Sequence, residues 1–397
     1  MKIDRIELFH IALPLEVPLR QNPAPPVRHE TVLVRLISDE AEGWGEAGPG
    51  TAPIDSHQWA AGALVCLRDW MAPLLVGQYV ESGQAVQDRL APLRGNEYAK
   101  SALDTAWWDL QARLQGRPLH RLLGASRDAV TVAVTLDVAD SIDQLLRAIA
   151  HAFGRRHPHV TLKIRPGWDV EMLRAVRQVF ADETIRVDGD GAYGMDQFDL
   201  LHRLEDFRPA MIQQPLEPDD LVAHAMLQDS TSTPVCLDQS ITSVARAEQA
   251  IDLKSCRAVN LQPGRAGGLT PAMAILDACR EAGIVCHYAP PPQTSIGLRA
   301  GLALSMLDAF AGPVELCRLE GPLAKDVAEP PSTQQPPDGP PRLQASSEPG
   351  IGVRPSLKRL KEICIAHEKL PASSKKVQNS ESPPAKPDAS IVNRSKR

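Results

Sequence analysis

Ten side chains between Lys163 and Gln293 hold most of the chemistry this sequence could do. Lys163 and Arg165 are cations able to hold a carboxylate. Asp188, Asp190 and Asp238 are anions able to hold a hard cation, and Gln213, Gln239, Gln262 and Gln293 are neutral amides. His287 is the member of the set whose ordinary pKa suits proton transfer near neutral pH. An Mg2+ ion takes oxygen ligands, usually with carboxylates at its core. Asp188 and Asp238 could supply two, and either Asp190 or the amide oxygen of Gln213 a third. Two carboxylates and a carboxamide turn less negative charge on the ion than three carboxylates do. Each aspartate taken alone reads equally well as a helix N-cap or a surface residue.

The elements that must position these groups are legible as an alternation that starts at Val130. Apolar runs at Val130–Leu136, Val160–Ile164, Ile185–Val187, Met211–Gln213, Val235–Leu237, Ala258–Leu261, Ile284–His287 and Val314–Cys317 read as strands. Helical segments separate them, among them Ser141–Phe153, Val170–Phe180, Met195–Glu205, Val244–Ile251, Thr270–Ala282 and Ser295–Leu307. Strands alternating with helices in this way predict an α/β fold, a modified TIM-type (β/α) barrel with its site at the C-terminal ends of the strands. An open doubly wound sheet is the alternative, and the lack of a Gly-rich phosphate loop after the first strand speaks against it. Lys163 and Arg165 alternate along the second strand and are expected to share a face. His287, at the end of the seventh, is either a general base or a histidine of the barrel wall.

Residues 1–125 read as an α+β capping domain. Three antiparallel strands, ending in Gly43-Trp44-Gly45-Glu46-Ala47, are followed by helices of which Tyr98–Gln115 is the clearest. The Pro-rich stretch Arg20–Pro26 is either a connector or a lid. The barrel is assigned to 126–325. A C-terminal segment, 326–370, returns to the cap, with a turn and strand near Glu348–Val353 and a helix over Leu357–Ile365. Residues 371–397, polar and rich in Pro, Ser and Lys, read as a disordered tail.

A net charge of −6 offers no basic field for nucleic acid. No run approaches the roughly 20 apolar residues of a membrane span, and Met1–Leu15 lacks the features of a signal peptide. Seven scattered cysteines with no paired spacing fit a reducing, cytoplasmic setting. The expected partner is a small carboxylate substrate or ligand, with neither nucleic acid nor membrane.

Several motifs together resemble the enolase superfamily, in the muconate-lactonizing subgroup that includes o-succinylbenzoate synthase and N-acylamino acid racemase. They are Gly43–Ala47, Ala102–Leu110, Leu162–Asp169, Val187-Asp188, Gln214-Pro215-Leu216, Leu237–Ile241, Val259–Gly268 and Ser295-Ile296-Gly297. The resemblance implies proton abstraction next to a carboxylate, with Mg2+ and a lysine stabilising the enediolate and lysines on opposite faces as acid and base. It assigns Lys163 to the first lysine, Asp188 and Asp238 to the first and third metal ligands, and the barrel surfaces to a homo-oligomer. The usual base position falls on Arg165, which stays protonated. The sixth-strand lysine falls on Gln262 and the middle metal ligand on Gln213. Three functions follow as expectations: a Mg2+-dependent lyase or isomerase, a pseudoenzyme that binds an anionic ligand, and a dehydratase-like enzyme that uses His287.

Overall fold

The computed structural model describes residues 1–15, 28–316 and 326–371. The chain opens with β1 (Arg5–Pro14), β2 (Arg28–Ile37) and β3 (Glu42–Ala47), an antiparallel sheet. The helix Glu97–Leu114 lies on it at unusually short range. A methyl group added at Gly43 would stand 2.2 Å from the Ala106 carbonyl, and one at Gly45 would stand 2.0 Å from that of Ala102. Glycines on the strand and alanines on the helix therefore make one device, with two backbones meeting where side chains usually intervene.

The barrel follows as β4 (Ala129–Leu136), β5 (Val160–Lys163), β6 (Ile185–Asp188), β7 (Ile212–Gln213), β8 (Val235–Leu237), β9 (Ala258–Asn260), β10 (Val285–Tyr288) and β11 (Phe310–Leu316). Each pairs in parallel with the next, and β11 closes on β4 through Val314–Val132 and Leu316–Val134. The eight predicted strands are all present within a few residues of their expected limits. A helix at Leu221–Ser230 lies between β7 and β8, where the sequence reading proposed none. The predicted helix Met195–Glu205 is broken into a 3₁₀ turn, a short helix and a second 3₁₀ turn.

The C-terminal segment departs further from expectation. A hairpin of β12 (Thr333–Gln334) and β13 (Arg342–Gln344) extends the barrel sheet beside β4. Glu348–Val353 is a turn rather than a strand. The helix Leu357–Ile363 leads directly into β14 (Cys364–Pro371), which pairs with β1 and becomes the fourth strand of the cap sheet. Its residues alternate between half-buried and exposed, a weak pattern in a polar stretch. The Arg20–Pro26 loop, Cys317 and the tail beyond Pro371 lie outside the described residues.

Cap and barrel are joined by buried carboxylates. Glu46 on β3 accepts hydrogen bonds from Thr294 N at 3.0 Å, Thr294 Oγ1 at 2.6 Å and Gly297 N at 2.9 Å, all at the start of the helix Ser295–Ser305. A carboxylate at a helix N-terminus satisfies amides that have no partner inside the helix. Burial pushes the Glu46 pKa up, and those donors pull against it. Asp109 plays a similar part, accepting from Trp44 N at 2.8 Å and from Ile351 N at 2.7 Å. Glu46→Ala is expected to destabilise the protein by about 2 kcal/mol, because its donors stay buried without an acceptor. Urea unfolding measures this, and an unchanged midpoint would show that water replaces the carboxylate freely.

Candidate active site

The C-terminal ends of β5 to β9 bring a compact charged group to the barrel mouth. Lys163 Nζ lies 2.8 Å from Asp188 Oδ2 and 3.4 Å from Asp190 Oδ1. Gln213 sits between the two carboxylates that flank it, its Nε2 donating to Asp188 Oδ2 at 3.1 Å and to Asp238 Oδ2 at 3.2 Å. The other oxygen of Asp238 accepts from Gln262 Nε2 at 3.1 Å and from the guanidinium of Arg265. Gln262 also donates to the Ala289 carbonyl at 2.9 Å. Asp188, Gln213, Asp238, Gln262 and Arg265 are all buried.

Asp238 is held in place by its neighbour strand. Gln214, in a left-handed backbone conformation at φ 33°, turns its side chain under β8. Its Oε1 accepts from Asp238 N at 2.9 Å and Ser240 N at 3.2 Å, while its Nε2 donates to Leu216 O and Ser240 Oγ. Gln214 thus fixes the backbone at Asp238, and Gln213, Gln262 and Arg265 hold its carboxylate at the mouth.

The electrostatics follow from crowding opposite charges where water is scarce. Burial works against the charge on Lys163, but Asp188 and Asp190 outweigh it and hold the ammonium protonated. Burial pushes Asp188 up to about 7, against the pull of Lys163. Asp190 goes the other way: burial opposes ionisation, yet Lys163 and the Gln239 amide hold its carboxyl below the usual range. Arg265 remains charged because Asp238 outweighs its burial. Asp55, on a cap loop, feels the same field: loss of solvent and Asp190 raise its carboxyl, while Lys163 and Arg265 lower it.

Other predicted site residues are placed differently. β5 stops at Lys163, and Arg165 lies in the following turn, closed by its backbone pairing with Trp168. Strand alternation therefore does not apply, and Arg165 is exposed at the mouth with no side-chain partner among the described residues. Asp190 faces Lys163 and Gln239, not the point where Asp188 and Asp238 converge. Gln293 donates to Tyr288 Oη at 3.1 Å, off to the side.

His287 belongs to a deeper layer. Thr161 and Arg186, two residues before Lys163 and Asp188, point inward below them. They meet Glu315 of β11, with Thr161 Oγ1 at 2.5 Å, Arg186 Nη1 at 2.7 Å and His159 Nε2 at 3.1 Å from its oxygens. The charges that act on His287 are Arg186, Glu315 and His159 of this floor group. Its Nδ1 donates to the Ala311 carbonyl at 3.0 Å, and burial pushes its pKa down to about 4. The barrel-wall reading of His287 fits this placement, and the dehydratase-like use of it loses its support.

Among the described residues, no three His, Cys, Asp or Glu side chains gather in a way that could hold a metal ion. The set at the mouth is two carboxylates and an amide. It nonetheless suits Mg2+ chemically: Asp188 and Asp238 converge on one group at 3.1 and 3.2 Å, and turning the Gln213 amide presents an oxygen to the same point. Mg2+ commonly takes one or two carboxylates and keeps waters for the rest. Arg265 was missed as a site residue by sequence reading. Its only signal was a position three residues beyond Gln262, and its contact with Asp238 is visible only in three dimensions.

A closed parallel barrel with charged strand ends, roofed by an antiparallel cap, defines a class of capped-barrel proteins with a charged mouth. Comparison with known proteins places the chain more closely. Residues 6–124 match the model of the mandelate racemase / muconate lactonizing enzyme N-terminal domain, and residues 137–359 that of the enolase C-terminal domain-like family. The chain belongs to the enolase superfamily. It is 34% identical over 367 residues to an N-succinylamino acid racemase from an Amycolatopsis species, covering 92% of this chain and 98% of that one. It is 33% identical over 331 residues to the o-succinylbenzoate synthase of Geobacillus stearothermophilus, covering 83% and 88%. A solved enolase-superfamily member from Listeria innocua superposes with a TM-score of 0.87 at 28% identity, over 94% of this chain and all of that one. Among the described residues no helix is long and apolar enough to cross a membrane.

Proposed function

We propose that the mouth takes a small carboxylate and acts on the hydrogen next to it as a lyase of the o-succinylbenzoate synthase kind, in preference to a racemase. The observation that carries this is Gln262, whose amide is spent on Asp238 and the Ala289 carbonyl. Racemisation needs a proton donor and acceptor on each face of the substrate, whereas an elimination can use one face. Gln262 itself, at the position of that face's usual lysine, cannot titrate. On the opposite face Lys163 is the amine that can take the hydrogen: its small unprotonated fraction accepts the proton, the ammonium so formed neutralises the enediolate, and the proton passes on to the group that departs from the same face. Exposed Arg165 adds attraction at the entrance, and Arg265 fixes Asp238. Mg2+, when bound, would be held by Asp188, Asp238 and the Gln213 oxygen, and would supply a Lewis acid for the substrate carboxylate.

Because the neighbouring carboxylates hold Lys163 protonated and it must lose that proton to act as the base, the rate is expected to climb toward alkaline pH. The test pairs two substrates in deuterated buffer with Mg2+: N-succinylamino acids of both hands, and the synthase's cyclohexene carboxylate precursor. Consumption of the precursor, rising from pH 7 to 10 and without racemisation, is the expected result. Racemisation of both hands would overturn the preference for a lyase. The cationic Lys163 and neutral Gln262 on opposite faces also favour a second reading, an anion-binding site without turnover. Binding of the precursor without exchange or turnover would select it.

A further inference from the structure

At the opposite, N-terminal end of the barrel lies a cavity of about 940 Å³. That volume suits a small organic ligand. Its innermost wall is His287 and Arg186 of the floor group, and its sides are the ends of the helices Leu221–Ser230, Val244–Leu253 and Leu269–Glu281. Two kinds of surface meet there. Met226, Leu253 and Val285 stand 50%, 46% and 40% exposed around the opening, apolar area on which nothing packs among the described residues. Arg257 and Lys254 line the same cavity, against one acidic group, Asp229. Deeper in, Arg186 is matched by Glu315, so the surplus charge is the cationic rim.

The inner wall is also unusual. His287 is 93% buried by its 7% exposure, and its Nδ1 is committed to Ala311. Burial keeps the ring neutral, so Nε2 is a hydrogen-bond acceptor with no partner among the described residues. We propose that this cavity is a second ligand site, separate from the mouth, for an amphipathic organic anion. Its apolar body lies on Met226, Leu253 and Val285, and its acid group meets Arg257 and Lys254. His287 Nε2 accepts from a hydroxyl or amide that reaches the floor. The end of a TIM-type barrel opposite the reaction more often serves stability, and an open apolar rim beside two cations does nothing for stability.

Calorimetry with decanoate as the probe tests this on the full chain. Decanoate is expected to bind at one site, and decanol and acetate, lacking the charge or the body, at least tenfold more weakly. Arg257→Glu and Met226→Glu, both at exposed positions that the core does not depend on, are expected to weaken decanoate about tenfold each. Lys163→Ala, at the mouth, is expected to leave it unchanged. No binding, equal binding of decanol, indifference to both rim substitutions, or loss in Lys163→Ala would each overturn the proposal. None of these outcomes depends on whether the mouth turns over a substrate.

Discussion

Gln213→Glu is expected to raise the affinity for Mg2+ roughly tenfold to hundredfold. In the native chain Asp188 and Asp238 meet on a neutral amide, and each already has a cation on it, Lys163 or Arg265. The negative charge left for a divalent ion is small, and native binding should be weak, on the order of millimolar. A glutamate at the same place contributes a third carboxylate, pointed at the same spot by the same strand. It also removes two amide hydrogen bonds that compete for the aspartate oxygens. Titration calorimetry with MgCl2 on both proteins measures the ratio. A difference below twofold would show that Gln213 does not face the ion. The thermal midpoint offers a second measure, since a ligand that binds only the folded state raises it with concentration.

Glu315→Ala is expected to cost about 3–5 kcal/mol, the usual loss when one partner leaves a buried charge group. Glu315 is almost wholly enclosed and takes hydrogen bonds from His159, Thr161 and Arg186. Removing it strands the Arg186 guanidinium in the barrel interior. Its pKa leads to a similar figure. Burial opposes ionisation, but His159, Arg186 and Thr161 hold the carboxyl down at about 2, from an ordinary 4.5. A carboxyl lowered by folding contributes stability that is fully present above its unfolded pKa and lost as pH falls toward the folded one. That contribution, about 3 kcal/mol, should be intact above pH 4.5 and fade between there and pH 2. Urea unfolding at pH 7 and pH 3 checks both statements. The gap between native and variant should narrow at pH 3, and a gap that widened would show that the ion pair is not its source.

The barrel was legible because its strands are short apolar runs at regular spacing, and because Lys163, Asp188 and Asp238 fall where such runs end. What failed did so by one or two residues of register. Reading a strand through Arg165 gave Arg165 the face of Lys163, but the strand stops at Lys163. Ending the seventh strand at His287 left that ring two readings, a base at the mouth or part of the wall; the strand runs on to Tyr288 and the ring lies one layer down, which fits the second. A shift of one residue in a strand exchanges its faces, so an error too small to affect the fold changes a chemical role. Arg265 and Gln214 escaped for another reason. Their parts depend on reaching Asp238 across the barrel, and no local pattern encodes that. β14 was hidden in a polar segment whose burial comes only from its partner strand.

That partner strand gives the cap an order of assembly. β1 leaves the ribosome long before β14, which covers its outer edge and follows it with the whole barrel in between. Synthesis runs at about 5–20 residues per second. The apolar edge of β1 therefore waits tens of seconds, while the whole barrel emerges, before its neighbour arrives. An open edge of that kind is a template for the wrong strand. A stalled or truncated chain that ended before Cys364 would carry its barrel strands complete and its cap permanently unfinished, with β1 left to find a partner in another molecule.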